Sequence, residues 1–188
     1  MSQLEHEDHD AGLRVYLRTP LMADHAEYVA VLKASAEFHK PWSPVPPPNV
    51  DIYSEDAFTQ YVRSTGLSSR RERRFICRRS DDRILGAIHV SEIVRGCFQS
   101  AYLGYWMGAE FAGQGYMGEG LRLTLGLCFG EWKLHRVEAN VRPENEPSIR
   151  LVRGAGFKLE GLSPRYLNID GDWRDHERWA LLADEFSS

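Results

Sequence analysis

Apolar and polar positions along the chain change period several times, and each change marks a predicted element. Leu13-Arg14-Val15-Tyr16-Leu17-Arg18 alternates like a strand with one buried face, and Thr19-Pro20 closes it. From Asp24 onward Ala26, Val29, Ala30 and Leu32 recur at helical spacing, with Asp24 as the cap. Trp42 and the run Pro44, Pro46, Pro47, Pro48 exclude helix and central strand and predict a stiff, extended loop. Ser54-Glu55-Asp56 reads as a helix start, with Phe58, Tyr61 and Val62 as its inward face.

The middle of the chain changes to short apolar runs separated by turns. Phe75-Ile76-Cys77, the turn Ser80 to Arg83, and Ile84 to Val90 predict a hairpin; a second turn near Arg95-Gly96 leads into Ala101 to Met107. Strands joined by such short turns are antiparallel. The next connection is a glycine-rich stretch and an apolar helix (Gly118 to Trp132), returning as Arg136-Val137-Glu138-Ala139-Asn140-Val141. That is a β-α-β step, hence a parallel pair. A short helix (Pro147 to Ala155) and two strands separated by Asp170-Gly171-Asp172 close the chain. The fold class expected is α/β (α+β), a mostly antiparallel sheet of about seven strands with one parallel step and about four helices.

Composition narrows the setting. At 188 residues, 43% hydrophobic and 27% charged, the chain suits one core, so residues 12–188 are expected to form a single domain behind a polar tail, residues 1–11. Lys and Arg number 23 against 27 Asp and Glu, a net charge of −4, which argues against nucleic acid as a partner. The basic run Arg70, Arg71, Arg73, Arg74, Arg78 and Arg79 reads as a solvated loop and strand edge. Three cysteines without C-x-x-C spacing and no apolar leader imply a reducing cytoplasm, and no run of 18 apolar residues suggests a membrane span. His6 and His9 lack a third ligand nearby, so no metal is expected.

The stretch Ala112-Gly113-Gln114-Gly115-Tyr116-Met117-Gly118-Glu119 carries the candidate chemistry. Glycines at 113, 115 and 118 free the backbone to turn N–H groups inward, and the following helix adds its own unpaired amides and positive dipole end. Such a site suits a phosphate; a turn that only reverses the chain is the plainer alternative. Gly113-x-Gly115-x-x-Gly118, with Glu138 20 residues on, also satisfies the dinucleotide fingerprint of a nicotinamide oxidoreductase. That fingerprint opens a long parallel sheet, whereas here an antiparallel meander precedes it, and no Gly-Lys-Ser/Thr follows to make a nucleoside-triphosphate loop.

Taken together, the segments Gly104-Tyr105-Trp106, Gly113 to Glu119, His135 to Val141, Asn145-x-x-Ser148, Gly154-Ala155-Gly156-Phe157 and Tyr166 to His176, with Val94-Arg95-Gly96-Cys97-Phe98, resemble the GCN5-related N-acetyltransferases (GNAT). Within them the likeness is to the ribosomal-protein-alanine N-acetyltransferase (RimJ/RimL) branch, over residues 13–183. The chain departs from that pattern in places. The superfamily usually has Gln or Arg where Ala112 stands and Gly or Ala where Met117 stands, although the ribosomal branch tends to carry Met there. Val152 stands where many relatives place a general-acid tyrosine, and Arg165 where some carry a base glutamate.

The resemblance implies an acetyltransferase that uses acetyl-CoA as co-substrate and no metal. It implies a pyrophosphate on the amides around Gln114 to Gly118, so that Gly113, Gln114, Gly115, Tyr116, Met117, Gly118 and Glu119 are expected to bind coenzyme, together with Ser148 and with Asn145, for which ordering the loop before the next helix is the alternative. Trp106 and Met107 would stand beside the thioester, where a backbone N–H stabilises the developing oxyanion; core packing is the alternative for both. The acceptor expected is the α-amino group of a protein or peptide, a ribosomal protein among them, with small-molecule amines as the alternative and monomer or homodimer as the state. An α-amino group has pKa about 7.7–8.0 against about 10.4 for lysine, so weak base assistance suffices. Glu138 and Asn140 share a strand face, and Glu138 is the candidate base, directly or through water. Ser148 is the candidate proton donor to the departing thiolate, or else a helix cap or coenzyme contact. Cys128, among Leu125, Leu127 and Phe129, reads as an inert core thiol rather than a nucleophile, and Asp175 and His176, adjacent on a strand, face opposite ways.

Overall fold

The computed structural model describes residues 13–66 and 70–187, so the polar tail with His6 and His9 lies outside the described residues. Seven strands form one sheet: β1 (Val15–Arg18), β2 (Glu72–Arg78), β3 (Ile84–Val94), β4 (Ser100–Met107), β5 (Arg136–Val141), β6 (Lys158–Ile169) and β7 (Asp172–Leu182). Their order is β1-β2-β3-β4-β5-β7-β6, and every neighbouring pair is antiparallel except β4 with β5. The five α-helices among the described residues are α1 (His25–Ala34), α2 (Ala36–His39), α3 (Glu55–Arg63), α4 (Tyr116–Gly126) and α5 (Glu146–Gly154). The one beyond the expected four is α2, a single turn too short for a periodic pattern to reveal.

The two faces of the sheet are packed differently. On one, Val15, Ile76, Leu85, Ile88, Leu103 and Val137 meet Leu121 and Leu125 of α4 and Val152 of α5. Helix α4 lies close because Gly120 has no side chain: a Cβ there would meet Ile76 Cδ1 at 2.6 Å. On the other face Phe75, Cys77, Ile84 and Ala87 meet Tyr28 of α1 and Phe58 of α3. Full burial of one such Leu or Phe side chain contributes roughly 1.5–3 kcal/mol, so both faces hold the sheet.

Local chemistry departs from expectation at three places. Asp24 does not cap α1 with its side chain; its carboxylate accepts from Arg18 Nη1 and Nη2 (2.6 and 2.8 Å) and from the Leu21 N–H (2.7 Å), a charged partner outcompeting the helix amides. The helix predicted from Gly118 to Trp132 begins two residues earlier and gives way after Gly126 to a π turn over Leu127–Glu131. The basic run is not uniformly solvated. Arg73 is buried because Tyr61 O, Ser64 Oγ and Thr65 Oγ1 all accept from its Nη1, at 2.8, 2.9 and 3.1 Å. By contrast Ser54 Oγ accepts from the Ala57 N–H at 3.2 Å, so α3 starts where the sequence places it.

The parallel pair is where the sheet opens. Strands β4 and β5 are paired from Ser100 with Arg136 to Leu103 with Ala139 and no further. Beyond that point β4 stays with β3 as far as Met107 opposite Gly86, while Asn140 and Val141 stay with Arg178 and Glu177 of β7. The two strands therefore diverge into a fork. Among the described residues no helix is long and apolar enough to cross a membrane.

Candidate active site at the strand fork

At the head of α4 the chain turns through Gly113 (φ 75°) and Gly115 (φ 86°), conformations that an L side chain adopts only with strain. The Gly118 and Glu119 N–H groups fold back onto the Gly115 carbonyl at 3.0 and 3.3 Å, so the Gly118 amide is already engaged. The amides ahead of it, through Met117, belong to a helix start that leaves its first N–H groups without intrahelical acceptors. Together with the helix dipole they make an anion cradle. Arg14, from the segment entering β1, stands across it. Its N–H and Nε donate to the two Glu119 carboxylate oxygens, both at 2.7 Å, its Nη2 donates to the Gln114 carbonyl at 2.9 Å, and its guanidinium lies 4.4 Å from the Tyr116 ring centroid. Glu119, expected to meet coenzyme, is thus held by a cation from the far end of the sequence.

Side chains alternate across the fork. Leu103, Tyr105 and Met107 point to the α4/α5 face; Tyr102, Gly104 and Trp106 point to the α1/α3 face. On the first face the Tyr105 hydroxyl is hydrogen-bonded to Ser148 Oγ of α5. Ser148 is free for this because Asn145, not Ser148, caps the helix: Asn145 Oδ1 accepts the Ser148 N–H at 3.2 Å. Burial pushes the Tyr105 phenol up to about 12, with the Ser148 bond pulling the other way. The pair therefore keeps its protons throughout the physiological range.

On the opposite face Glu138 lies beside Tyr102 in register, and its Oε1 accepts from Arg136 Nε at 2.9 Å. Arg136 also clasps Glu160, with Nη1 donating to Oε1 at 2.7 Å, so Glu138 belongs to a carboxylate–guanidinium–carboxylate row. Asn140 follows on the same face, and its side-chain carbonyl oxygen is buried without a hydrogen-bond partner. Trp106 is edge-on to Tyr28 and to His39, at 5.9 and 5.6 Å. Met107 is buried in the other layer, and its carbonyl accepts from His39 Nε2 at 2.8 Å. Opposite Gly104, His89 is hydrogen-bonded to the Tyr61 hydroxyl at 3.0 Å, and burial pushes its pKa down to about 4. The candidate acid and the candidate base thus lie on opposite faces, joined only through the fork.

The remaining candidates fall away from this place. Cys128 is fully buried, and burial pushes its thiol up, as an inert core residue requires. His176 is buried with Nδ1 donating to the Arg174 carbonyl, while the exposed Asp175 accepts from the Arg165 N–H at 2.7 Å, so the two do not pair. Among the described residues no group of three His, Cys, Asp or Glu is placed to hold a metal ion. Tyr105, His39 and Arg14 were missed by sequence reasoning as site residues. Each meets its partner across 43 to 105 positions, and no local spacing signals that.

An antiparallel sheet opened at one parallel pair, with an anion cradle on the crossover helix, defines an acyl-transfer class rather than a dinucleotide one. The chain belongs to the acetyltransferase (GNAT) domain family, whose sequence profile matches residues 14–158. It is 34% identical over 179 residues to the probable N-acetyltransferase YjcK of Bacillus subtilis, covering 91% of this chain and 95% of that one. It is 38% identical over 104 residues to the ribosomal protein uS5-alanine N-acetyltransferase of Escherichia coli, covering 55% of this chain and 54% of that one. Among solved structures, Mycobacterium smegmatis RimJ in complex with CoA-disulfide superposes with a TM-score of 0.85 at 32% identity, over 93% of this chain and 84% of that one. Vibrio cholerae spermidine N-acetyltransferase shares the fold at 20% identity, with a TM-score of 0.77 over 92% of this chain and 97% of that one.

Proposed function

We propose that this chain moves an acetyl group from acetyl-CoA directly to an α-amino group at a protein or peptide N-terminus, a ribosomal protein among its acceptors. The fork carries this reading: a gap between Gly104–Met107 and Asn140–Val141, with the Gly113–Met117 cradle on the crossover helix between the same strands. The cradle fits a pyrophosphate, since glycine conformations, a helix N-terminus and Arg14 converge there. Acetyl-CoA supplies the thioester; the chain's part is to hold it and to handle protons. The amine nitrogen bonds to the acetyl carbon, the carbon–sulfur bond breaks, one proton leaves the nitrogen and one reaches the sulfur. Ser148, backed by Tyr105, serves the sulfur, and Glu138 passes the amine proton to solvent.

The acceptor class is supported by a groove of about 340 Å³ between the end of α1, the proline-rich loop and the β6–β7 turn. Leu32, His39, Pro44, Val45 and Tyr53 wall it, with one carboxylate, Asp170, and one amine, Lys40. A polyamine with several ammonium groups calls for several carboxylates, whereas a peptide needs apolar walls and one. His39 touches this groove and also bonds Met107, joining it to the fork. The test is thiol release from acetyl-CoA with Ala-starting peptides and with spermidine, alongside thermal shifts. Acetyl-CoA raises the melting temperature, NAD(H) does not, and the peptides are acetylated. Reaction with spermidine alone overturns the acceptor class, and failure of acetyl-CoA to bind overturns the reading altogether.

A further inference from the structure

Past Leu103 and Ala139 the two tines of the fork no longer pair with each other, and their backbone groups need other partners. At the end of β4 the Gly108 N–H donates to the Leu85 carbonyl, on the β3 side, at 2.7 Å. A trans peptide is planar with its N–H and C=O opposed, so the Met107 carbonyl points away from β3, to the side that β5 has left. His39 Nε2 donates to it there at 2.8 Å. Just beyond, the Ala109 N–H donates to the Oγ of the buried Ser35 at 2.9 Å.

Ser35 and His39 belong to one turn, α2 and its cap, closed by the His39 N–H on the Ser35 carbonyl at 2.9 Å. The chain then passes through Pro41 in a 3-10 turn, Lys40–Trp42, and is fastened again. Arg142, the first residue past β5, donates from Nη1 to the Pro41 carbonyl at 2.7 Å, and its guanidinium lies 5.2 Å from the Trp42 ring centroid. The Asp170 N–H, at the β6–β7 turn, donates to the Ser43 carbonyl at 3.0 Å. Ser35 to Ser43 is therefore held to the end of β4, to the end of β5 and to the hairpin beyond, and so runs across the mouth of the fork. The span is short and stiff. His39 and Pro41 stand two positions apart, a reach of at most about 7 Å, and the proline fixes one backbone torsion.

We propose that Ser35–Ser43 is a tie across the fork, and that His39 and Arg142 are positioning residues that set, through it, the gap in which the acetyl group is held. The tie rests on the acetyl-transfer reading given above and adds to it what fixes the distance between the strands where no ladder joins them. Packing down a connecting segment needs one strand end; a spacer needs both. The tie also supplies Ala36, His39, Lys40 and Ser43 to the groove wall, so an acceptor lodged there bears on the same spacer. Misplacing reacting atoms by about 1 Å costs up to about 10²-fold in rate, so a slack tie acts on turnover before it acts on binding. The cradle at Gly113–Met117 lies outside the fastenings, and coenzyme affinity is spared.

The experiment uses the full chain with Arg142→Met, His39→Leu, the double variant, and the donor-keeping Arg142→Lys and His39→Gln. It measures melting temperature, acetyl-CoA affinity by calorimetry, and steady-state constants for an Ala-starting peptide at a temperature where every variant is folded. Arg142→Met and His39→Leu each lower kcat about tenfold or more, with acetyl-CoA affinity within about twofold of the parent. Arg142 lies outside the groove wall, so the KM for peptide stays put in Arg142→Met. The double variant falls no further than the worse single, because a tie cut at one end is already slack. Arg142→Lys and His39→Gln each retain an N–H donor and keep kcat within about threefold of the parent. Losses that multiply in the double variant overturn the tie, as does an Arg142→Met that melts lower yet turns over like the parent. A parent that acetylates spermidine alone overturns the acceptor class and not the tie, which the same constants for spermidine then decide. A parent that binds no acetyl-CoA, or acetylates neither amine, overturns both.

Discussion

The two faces of the fork are built from opposite chemistry. Toward α4 and α5 lies a neutral hydroxyl pair, Tyr105 and Ser148, enclosed by the larger core. Toward α1 and α3 lie the ionic row of Glu138, Arg136 and Glu160, the uncharged His89 and the unsatisfied Asn140. The first arrangement is uncharged and keeps its protons; the second carries the charges of Arg136, Glu138 and Glu160. In the function proposed above, the hydroxyl face serves the departing sulfur and the ionic face the arriving amine.

The sharpest way to break this contrast is on the hydroxyl face. Tyr105→Phe and Ser148→Ala each lower kcat by about 10²-fold, the low end of what a positioned proton donor contributes, and the double variant falls no further than the worse single. Steady-state thiol release checks this, and multiplicative losses would separate the two hydroxyls. On the ionic face a smaller effect follows from the acceptor's own acidity. Glu138→Gln lowers kcat/KM less than about tenfold for a peptide α-amine, whose pKa is about 7.7–8.0, and more for a lysine side chain near 10.4. Equal losses for both amines would remove Glu138 from proton transfer.

The smallest effect is on stability. His89 has its pKa pushed from 6.5 down to about 4 by burial, so between those values the unfolded chain binds the proton that the folded chain refuses. Stability from this group is complete above about 6.5 and is lost as pH falls toward about 4. Chemical denaturation across that window shows the slope, and His89→Gln flattens it. A residual slope remains, because burial also pushes His176 below its ordinary value.

The strand-turn-helix-strand unit was legible because its signals are local: glycines at turns, an apolar helix and alternating Arg136 to Val141. The register that ends at Leu103 and Ala139 was not, since nothing in either strand's composition says where pairing stops. Ser148 could be named from its place after Asn145, but its partner could not. Tyr105 comes from β4, and it supplies a hydroxyl near the helix on which Val152 stands where many relatives place a tyrosine. Arg73 misled for the same reason: a run of arginines reads as solvated until three acceptors on α3 and its exit come into view.

The Arg14–Glu119 clasp links β1, at the border of the sheet, to the helix that shapes the anion cradle. Edge strands fray readily, and this one is four residues long. Any ligand that favours the ordered cradle therefore also resists unzipping of that border, and by reciprocity whatever loosens the border weakens the ligand. Occupancy at the centre of the molecule and order at its rim are two readings of one equilibrium.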